Sequence, residues 1–427
     1  VPTEAWLTRA AAAHPGRKAV GSIEYGELLA RAQSVARRIA ALGAAPGEPV
    51  ALVLPPGEDF AVALHGCLLL GCPAVPVDPA RPAPEREILL RGCEVVIDGP
   101  LEGHEDPAVR LRGSFEPDGV AVVMHTSGST GEPSPVELTY RNLWWNAAGS
   151  AVALGLDRDE RWLCCLPVAH VGGLSVLVRS VIYGTTANIH EHFDRDRVLA
   201  ALASEEGPTM VSLVPTMLSR LLNAGLERPP ALRHALIGGA PAPDGLLERA
   251  LRAGVPVAPT WGMTEAASQV TTFGRPLFCT QVTVSAEGEL LVDGPTVSPS
   301  CARPLATGDL GRIGPDGEVE VTGRASAVII TGGENVQPAA VEEAVESHPA
   351  VLECGVFGRP DEEWGEAVVA AVVLRDGAEL DAGELHAWCG ERLAPFECPK
   401  ELLFVDALTR TGAGKLDRTA LGEEHGG

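Results

Sequence analysis

Val120-Ala-Val-Val-Met-His-Thr-Ser-Gly-Ser-Thr-Gly131 joins a short apolar run to a string of small hydroxyl and glycine residues. Residues 120–124 read as a buried strand. The following Thr126, Ser127, Gly128, Ser129, Thr130 and Gly131 offer hydroxyls and backbone N–H groups, which can form a nest for phosphate oxygens. No Lys-Ser/Thr pair follows Gly131, so the loop is not a Walker A motif, and no GxSxG elbow is present. In isolation an ordinary Ser/Gly turn would look the same, so its surroundings decide the reading.

Outward from this stretch, strands and helices alternate. Leu28, Ala32, Val35, Ile39 and Leu42 recur at helical spacing, and Gly43 stands where a helix stop is expected. Val50-Ala-Leu-Val-Leu54 reads as a buried strand, residues 61–70 as an apolar helix and Ala74-Val-Pro-Val77 as another strand. Trp162-Leu-Cys-Cys-Leu166 and Ala235-Leu-Ile237 continue the series. Continuous apolar strands alternating with helices predict an α/β fold with mostly parallel sheets covered by helices. After about residue 280, Glu289-Leu-Leu-Val292 and Glu318-Val-Glu-Val-Thr322 alternate around turns, as in a small antiparallel barrel-like part over 280–324. A small α+β domain is expected beyond it, with helices near 338–348 and 381–393 and strands near 354–357 and 367–374. The expected division is 1–324 and 325–427, with a hinge at 324–327 on which the small domain rotates.

Composition narrows the function. The chain has 427 residues, 45% of them hydrophobic, which is enough for a large core. Its formal net charge of −24 argues against a nucleic-acid or anionic-membrane partner, since both demand a cationic surface. The uncharged run 61–77 is interrupted by glycines and prolines and falls short of a membrane span. Val1-Pro2-Thr3-Glu4 lacks the features of a signal peptide, and ten dispersed cysteines show no zinc spacing. A cytoplasmic, reduced chain is expected. His190 and His192 form an HxH pair with no third ligand in view and read as surface residues.

Further motifs follow the phosphate-type loop in order: Leu166-Pro-Val-Ala-His170, Gly238-Gly-Ala-Pro241, Trp261-Gly-Met-Thr-Glu265, Thr307-Gly-Asp309, Gly323-Arg324, Gly332-Gly-Glu-Asn335 and Gly412-Ala-Gly-Lys415. With this set the chain resembles, nearly end to end, the adenylate-forming superfamily of acyl- and aryl-CoA synthetases, luciferases and carrier-loading adenylation domains. The resemblance implies an enzyme that joins a carboxylate to the α-phosphate of ATP and then passes the acyl group to a thiol. Two anions must meet, so positioning and charge neutralisation dominate the catalysis. ATP and CoA are the implied co-substrates and Mg²⁺ the implied cofactor.

The resemblance also implies roles. Ser127 to Gly131 would hold the β- and γ-phosphates, with Thr126 in the same ATP site. Thr264 would contact the α-phosphate and Glu265 would hold Mg²⁺. Gly238, Gly239, Ala240 and Pro241 would flank adenine, and Trp261, Gly262 and Met263 belong to the same nucleotide site. Asp309 would take the ribose hydroxyls, with Arg324 as a second ribose or phosphate contact. Lys415 would bridge carboxylate and α-phosphate as a compact, mobile cation. His170 would wall or gate the passage between acyl and thiol sites, and Gly332 and Gly333 would line the passage for CoA.

Within the superfamily, the nearest resemblance is to the o-succinylbenzoate–CoA ligases of menaquinone biosynthesis, carried by Leu174–Gly184, Val211–Leu218 and Gly262–Thr272. Arg179 interrupts an apolar segment, and a buried arginine needs a partner. It is either paired to a protein carboxylate or a reader of the substrate's second, unreacting carboxylate. Ser268 and Thr271 would add hydroxyl contacts to the acid. Three departures stand out. Pro133-Ser134-Pro135 replaces the usual lysine and glycine after the phosphate loop, Ser326-Ala327 follow Gly323-Arg324, and the stretch from Glu265 to Asp309 is short for the family. Another aryl or short acyl acid, a carrier-protein thiol in place of CoA, and a nucleotide-binding protein without catalysis stay open. So does assembly as a homodimer.

Overall fold

The computed structural model describes residues 3–81, 83–127, 133–240, 242, 245–325, 328–331, 334–361, 364–411 and 416–425. The decisive apolar run forms the Val120–Ser127 strand. It lies parallel to Ala74–Pro76, which neighbours Val50–Leu52 and then Val95–Ile97, all parallel. The fifth strand of this sheet, Pro133–Thr139, runs back antiparallel along Val120–Ser127, with Ser127 opposite Pro133 and His125 opposite Pro135. The Pro-Ser-Pro stretch that reads as an interruption in the sequence is therefore the start of an edge strand. Proline is tolerated there because an outward-facing edge N–H has no ladder bond to lose.

A second sheet has nine strands. Its middle runs parallel through Lys18–Val20, Thr186–Ile189, Arg161–Cys164, Met210–Leu213, His234–Ile237 and Val257–Met263. Three antiparallel strands complete it, Ile23–Glu24 at one end and Ser268–Thr272 and Arg275–Pro276 at the other. Helices Tyr25–Ala41, Glu58–Leu70, Tyr140–Leu154 and Val171–Tyr183 supply much of the main core, which includes Trp6, Tyr25, Phe60, Tyr140 and Trp162. The mostly parallel α/β fold expected from the strand–helix alternation is what forms. Among the described residues no helix is long and apolar enough to cross a membrane. All ten cysteines are free thiols.

By packing, the chain divides into two compact units. The first comprises residues up to Ala242 with Leu246–Val282 and Val292–Leu305; the second comprises Thr283–Leu291 and the chain from Ala306 onward. The expected barrel-like part takes the form of a four-stranded sheet in the order Gln281–Val284, Glu289–Asp293, Leu305–Ile313, Val319–Arg324. The α+β part pairs Val351–Asp361 antiparallel with Gly365–Leu374, which Glu401–Phe404 joins in parallel. Helices Pro338–Glu346 and Ala382–Gly390 contribute Val341, Val345, Leu385 and Cys389 to the core beside this sheet.

Helix Pro338–Glu346 is tied to its neighbouring strand by carboxylates. Glu342 accepts from the Val356 N–H at 2.8 Å and pairs with Arg418, while Glu346 accepts from the Cys354 N–H at 2.9 Å. Burial is the main reason that the Glu346 carboxyl is pushed up to about 7; nearby Glu342 and Glu353 raise it further, while the Cys354 N–H and Arg410 oppose them. The folded state therefore keeps this proton in a range where the unfolded chain, near 4.5, has lost it. Stability from this group is full below the unfolded value and is lost as pH rises through the folded one. Glu346→Gln keeps the acceptor and removes the charge. It should raise thermal stability near pH 8, by up to about 3 kcal/mol, and change little near pH 4.5. Equal effects at both pH values would show that the carboxyl is not raised.

Candidate active site

In both sheets of the first unit, motif residues follow the carboxyl ends of parallel strands, where open α/β sheets bind ligands. Thr126 is half-buried at the end of Val120–Ser127 and lies opposite Ser134. Ser127 closes that strand. Gly128, Ser129, Thr130, Gly131, Pro241, Gly332, Gly333 and Lys415 fall outside the described residues. His170 follows strand Arg161–Cys164 and is the N-cap residue of helix Val171–Tyr183. Its carbonyl takes the N–H of Leu174 at 3.0 Å. The helix can start so close to the preceding turn because Gly173 has no side chain: a Cβ there would lie 2.4 Å from the Pro167 oxygen.

Gly238, Gly239 and Ala240 follow strand His234–Ile237. A Cβ on Gly238 would stand 2.4 Å from the Thr260 hydroxyl, which donates to the Ile237 carbonyl at 3.2 Å. This contact joins the Gly-Gly turn to the strand that carries Trp261, Gly262 and Met263. That strand, Val257–Met263, ends in a single 3₁₀ turn, Thr264–Ala266, and the chain returns as Ser268–Thr272. The hairpin is tight. The register slips between Trp261 and Gly262, and a Cβ on Gly262 would sit 1.8 Å from the Ser268 carbonyl oxygen. Ala267 and Ser268 turn the corner at φ of 57° and 112°, backbone that side chains other than hydrogen resist.

Thr264, Glu265 and Ser268 are half-buried on this corner, whereas Thr271 is buried in the returning strand. The outgoing strand of the phosphate-type loop, Pro133–Thr139, packs against the Thr264–Ala266 turn, so the first and fourth motifs meet. Glu265 itself is gripped by its backbone: its carbonyl accepts from the Ser298 N–H at 2.8 Å. Among the described residues no cationic side chain forms an ion pair with its carboxylate. The Glu265 charge is felt by Cys301, whose thiol is pushed up first by burial and then by this neighbour. A hard, uncompensated carboxylate suits Mg²⁺, which typically takes one or two carboxylates plus substrate phosphates.

Arg179 is 3% exposed in helix Val171–Tyr183. Of the two readings the sequence allows, pairing to a protein carboxylate is not what forms among the described residues. Its Nη2 donates to Asn146 Oδ1, its guanidinium lies 5.6 Å from the Trp162 ring centroid, and its Nε is buried without a partner. Burial pushes the guanidinium down to about 10, which leaves it cationic at neutral pH. In the second unit, Asp309 and Arg324 face each other across paired strands, and Arg324 Nη1 donates to Asp309 Oδ1 at 2.7 Å. Asp309 is 7% exposed, while more than half of the Arg324 side chain is open to solvent. The two residues form an ion pair with each other. His190 is not the surface residue expected from the HxH spelling. It is half-buried at the end of Thr186–Ile189, with its N–H on the Cys164 carbonyl.

Sequence reasoning missed Asn142 and Asn146. Both are 2% exposed and lie one turn apart in helix Tyr140–Leu154. Asn142 completes a capping box with Thr139 and donates to the carbonyls of Pro295 (2.8 Å) and Val297 (2.9 Å). Asn146 donates to Gln269 (2.9 Å) and Ala266 (3.3 Å). The available signal was two asparagines four apart inside a mostly apolar helix, where asparagine is a poor choice without a partner.

Comparison with known proteins meets this geometry at full length. The model of the AMP-binding enzyme family matches residues 7–106 and 95–309, and that of the AMP-binding enzyme C-terminal domain matches 340–415. The chain is 34% identical to 2-succinylbenzoate–CoA ligase of Bacillus subtilis, covering 97% of each, and 35% identical to that of Bacillus licheniformis, covering 97% of this chain and 98% of the relative. The first alignment runs over 473 positions, more than the 427 residues here, so the relative carries insertions that this chain lacks. Among solved structures, o-succinylbenzoate CoA synthetase from Bacillus subtilis in complex with the acyl-adenylate intermediate superposes with a TM-score of 0.91 at 34% identity, covering 99% of this chain and 98% of that one. The same enzyme with ATP and magnesium ion also scores 0.91, at 33% identity, covering 99% and 100%. The strained corner at Thr264–Ser268, the phosphate-type hairpin packed against it and the end-to-end matches agree: the chain belongs to the AMP-binding enzyme family.

Proposed function

We propose that the chain is an ATP-dependent, AMP-forming acid–CoA ligase acting on o-succinylbenzoate, the acid named for its 34% identical relatives. In the first step a carboxylate oxygen attacks the α-phosphorus of ATP, forming an acyl-adenylate and releasing pyrophosphate. In the second the CoA thiol sulfur attacks the acyl carbonyl, forming the thioester and releasing AMP and the thiol proton. The observation that carries this reading is the half-buried Glu265, uncompensated by any described cation, on a rigid corner packed against the strand that leaves the phosphate-type loop. Glu265 would hold Mg²⁺, which when bound neutralises phosphate charge.

The other roles belong to the chain's own groups. Ser127 to Gly131 cradle the β- and γ-phosphates beside Thr126, and the Thr264 hydroxyl orients the α-phosphate. Gly238 to Pro241 and Trp261 to Met263 frame the base. Asp309 takes the ribose hydroxyls, with Arg324, held on its carboxylate, as a second ribose or phosphate contact. His170, at the mouth of helix Val171–Tyr183, walls the acyl site, and Gly332 and Gly333 give the pantetheine arm room. The small lobe over 325–427 carries Lys415. The reaction is placed in the cytoplasm, whose reducing conditions suit ten unpaired cysteines. For the acid, Arg179 is the reader of the second carboxylate, with Ser268 and Thr271 as hydroxyl partners. A buried guanidinium without a described carboxylate partner favours a dianionic acid over a fatty acid.

ATP–pyrophosphate exchange with a panel of acids tests the reading as a whole. Exchange should depend on o-succinylbenzoate and be weak with benzoate or a fatty acid. A preference for a monocarboxylate would contradict the substrate, and no exchange with any acid would contradict the chemistry. Lys415→Ala should abolish exchange yet spare thioester formation from supplied acyl-adenylate, because the lysine's charge is needed only where two anions approach. Equal loss in both half-reactions would show a structural role. Arg179→Leu should raise KM for o-succinylbenzoate strongly. Loss of one partner of a buried charged pair costs about 2–5 kcal/mol, roughly 30- to several-thousand-fold. Uniform loss across all acids with a lower melting temperature would instead mark Arg179 as part of the core.

A further inference from the structure

Asn146 touches three things at once. Its amide nitrogen donates to the carbonyls of Ala266 and Gln269, and its amide oxygen accepts from Arg179. The two carbonyls bracket Ala267 and Ser268, the residues held at positive φ. Such backbone persists only where its surroundings over-determine it. Ala267 has one local restraint, its N–H on the Thr264 carbonyl at 2.9 Å. The carbonyls on either side are fixed by Asn146. Arg179 in turn fixes which way the Asn146 amide faces, because only the oxygen can accept from a guanidinium. One turn earlier on the same helix, Asn142 holds the Pro295 and Val297 carbonyls, and the adjoining Ser298 N–H holds the Glu265 carbonyl. One helix face thus grips both backbone segments that flank Glu265.

We propose that Asn146 is a positioning residue for the metal carboxylate: it holds the Ala267–Ser268 corner in its left-handed form and so sets where Thr264 and Glu265 point. This rests on the reading of Glu265 as the magnesium ligand. Without the clamp, Ala267 and Ser268 relax toward negative φ, and the 3₁₀ turn carrying Glu265 relaxes with them. The effect reaches the metal through backbone and needs no contact between Asn146 and any ligand. Residues that orient a metal ligand in this way typically contribute 10–100-fold to metal affinity or activity.

The test replaces Asn146 by Asp, which keeps an acceptor for Arg179 and puts an oxygen where the two carbonyls need a donor. Full-length protein is titrated with manganese–ATP and free Mn²⁺ is read by electron paramagnetic resonance, with thermal melting in parallel. No acid is required, so the result does not depend on the substrate assignment. Asn146→Asp should weaken binding by about 10–100-fold. Adding Ala267→Gly should recover much of the loss, because glycine adopts the left-handed corner without a clamp. Glu265→Gln is the control. If Glu265→Gln leaves binding unchanged, the metal reading itself fails. If Glu265→Gln weakens binding while Asn146→Asp melts lower but binds normally, the clamp is structural only and the proposal alone is overturned. Should Asn146→Asp not fold, Asn146→Ala, which removes the donor without adding charge, is read against the same two outcomes.

Discussion

The Ser268 carbonyl oxygen occupies the space a side chain on Gly262 would need, and this contact fixes the corner between strands Val257–Met263 and Ser268–Thr272. A sheet hairpin normally joins strands through a turn that follows their twist. Here the chain makes a register slip, a 3₁₀ turn and two residues at positive φ within a few positions. That geometry is unfavourable locally and must be held from outside. The Asn142–Asn146 face supplies hydrogen bonds to the segments around it, and Pro133–Thr139 packs against the 3₁₀ turn. A carboxylate mounted on such a corner starts from a backbone already set in place, which serves electrostatic preorganisation.

The charge pattern of the chain makes sense around this corner. With a net charge of −24, a triphosphate meets an unfavourable global field, so affinity has to come from short-range donors and local cations. Arg179, proposed for the acid's second carboxylate, is kept from water and held on a neutral amide rather than on a carboxylate. A protein carboxylate in place of Asn146 would neutralise the guanidinium outright. The amide orients it and leaves its charge in force. Arg324 is treated the opposite way, paired directly with Asp309 and open to solvent.

Much of the architecture was legible because buried parallel strands must be continuously apolar, and Val50–Leu52, Val120–Ser127 and His234–Ile237 appear where such runs stand. The motifs were legible as strings. Their physical reasons were not: nothing in Trp261-Gly-Met-Thr-Glu265 reveals that Gly262 is needed to admit a carbonyl from residues further on. Pro133–Thr139 was hidden because proline reads as a breaker, whereas an edge strand tolerates it. Asn146 was hidden because the two partners of its amide nitrogen are backbone carbonyls, which leave no trace in residue identity. The pairing of Arg324 with Asp309 depends on cross-strand register through a bulge, which spacing alone does not supply.

The central claim is that the corner at Thr264–Ser268 presents Glu265 to a metal ion that rides on the triphosphate. The most direct measurement is a crystal structure with a non-hydrolysable ATP analogue and Mn²⁺, with the metal located by its anomalous scattering. The account predicts one strong peak bound by the Glu265 carboxylate and phosphate oxygens, with the Thr264 hydroxyl on the α-phosphate and Ala267 and Ser268 still at positive φ. A metal held by other residues, with Glu265 turned away from the nucleotide, would contradict it.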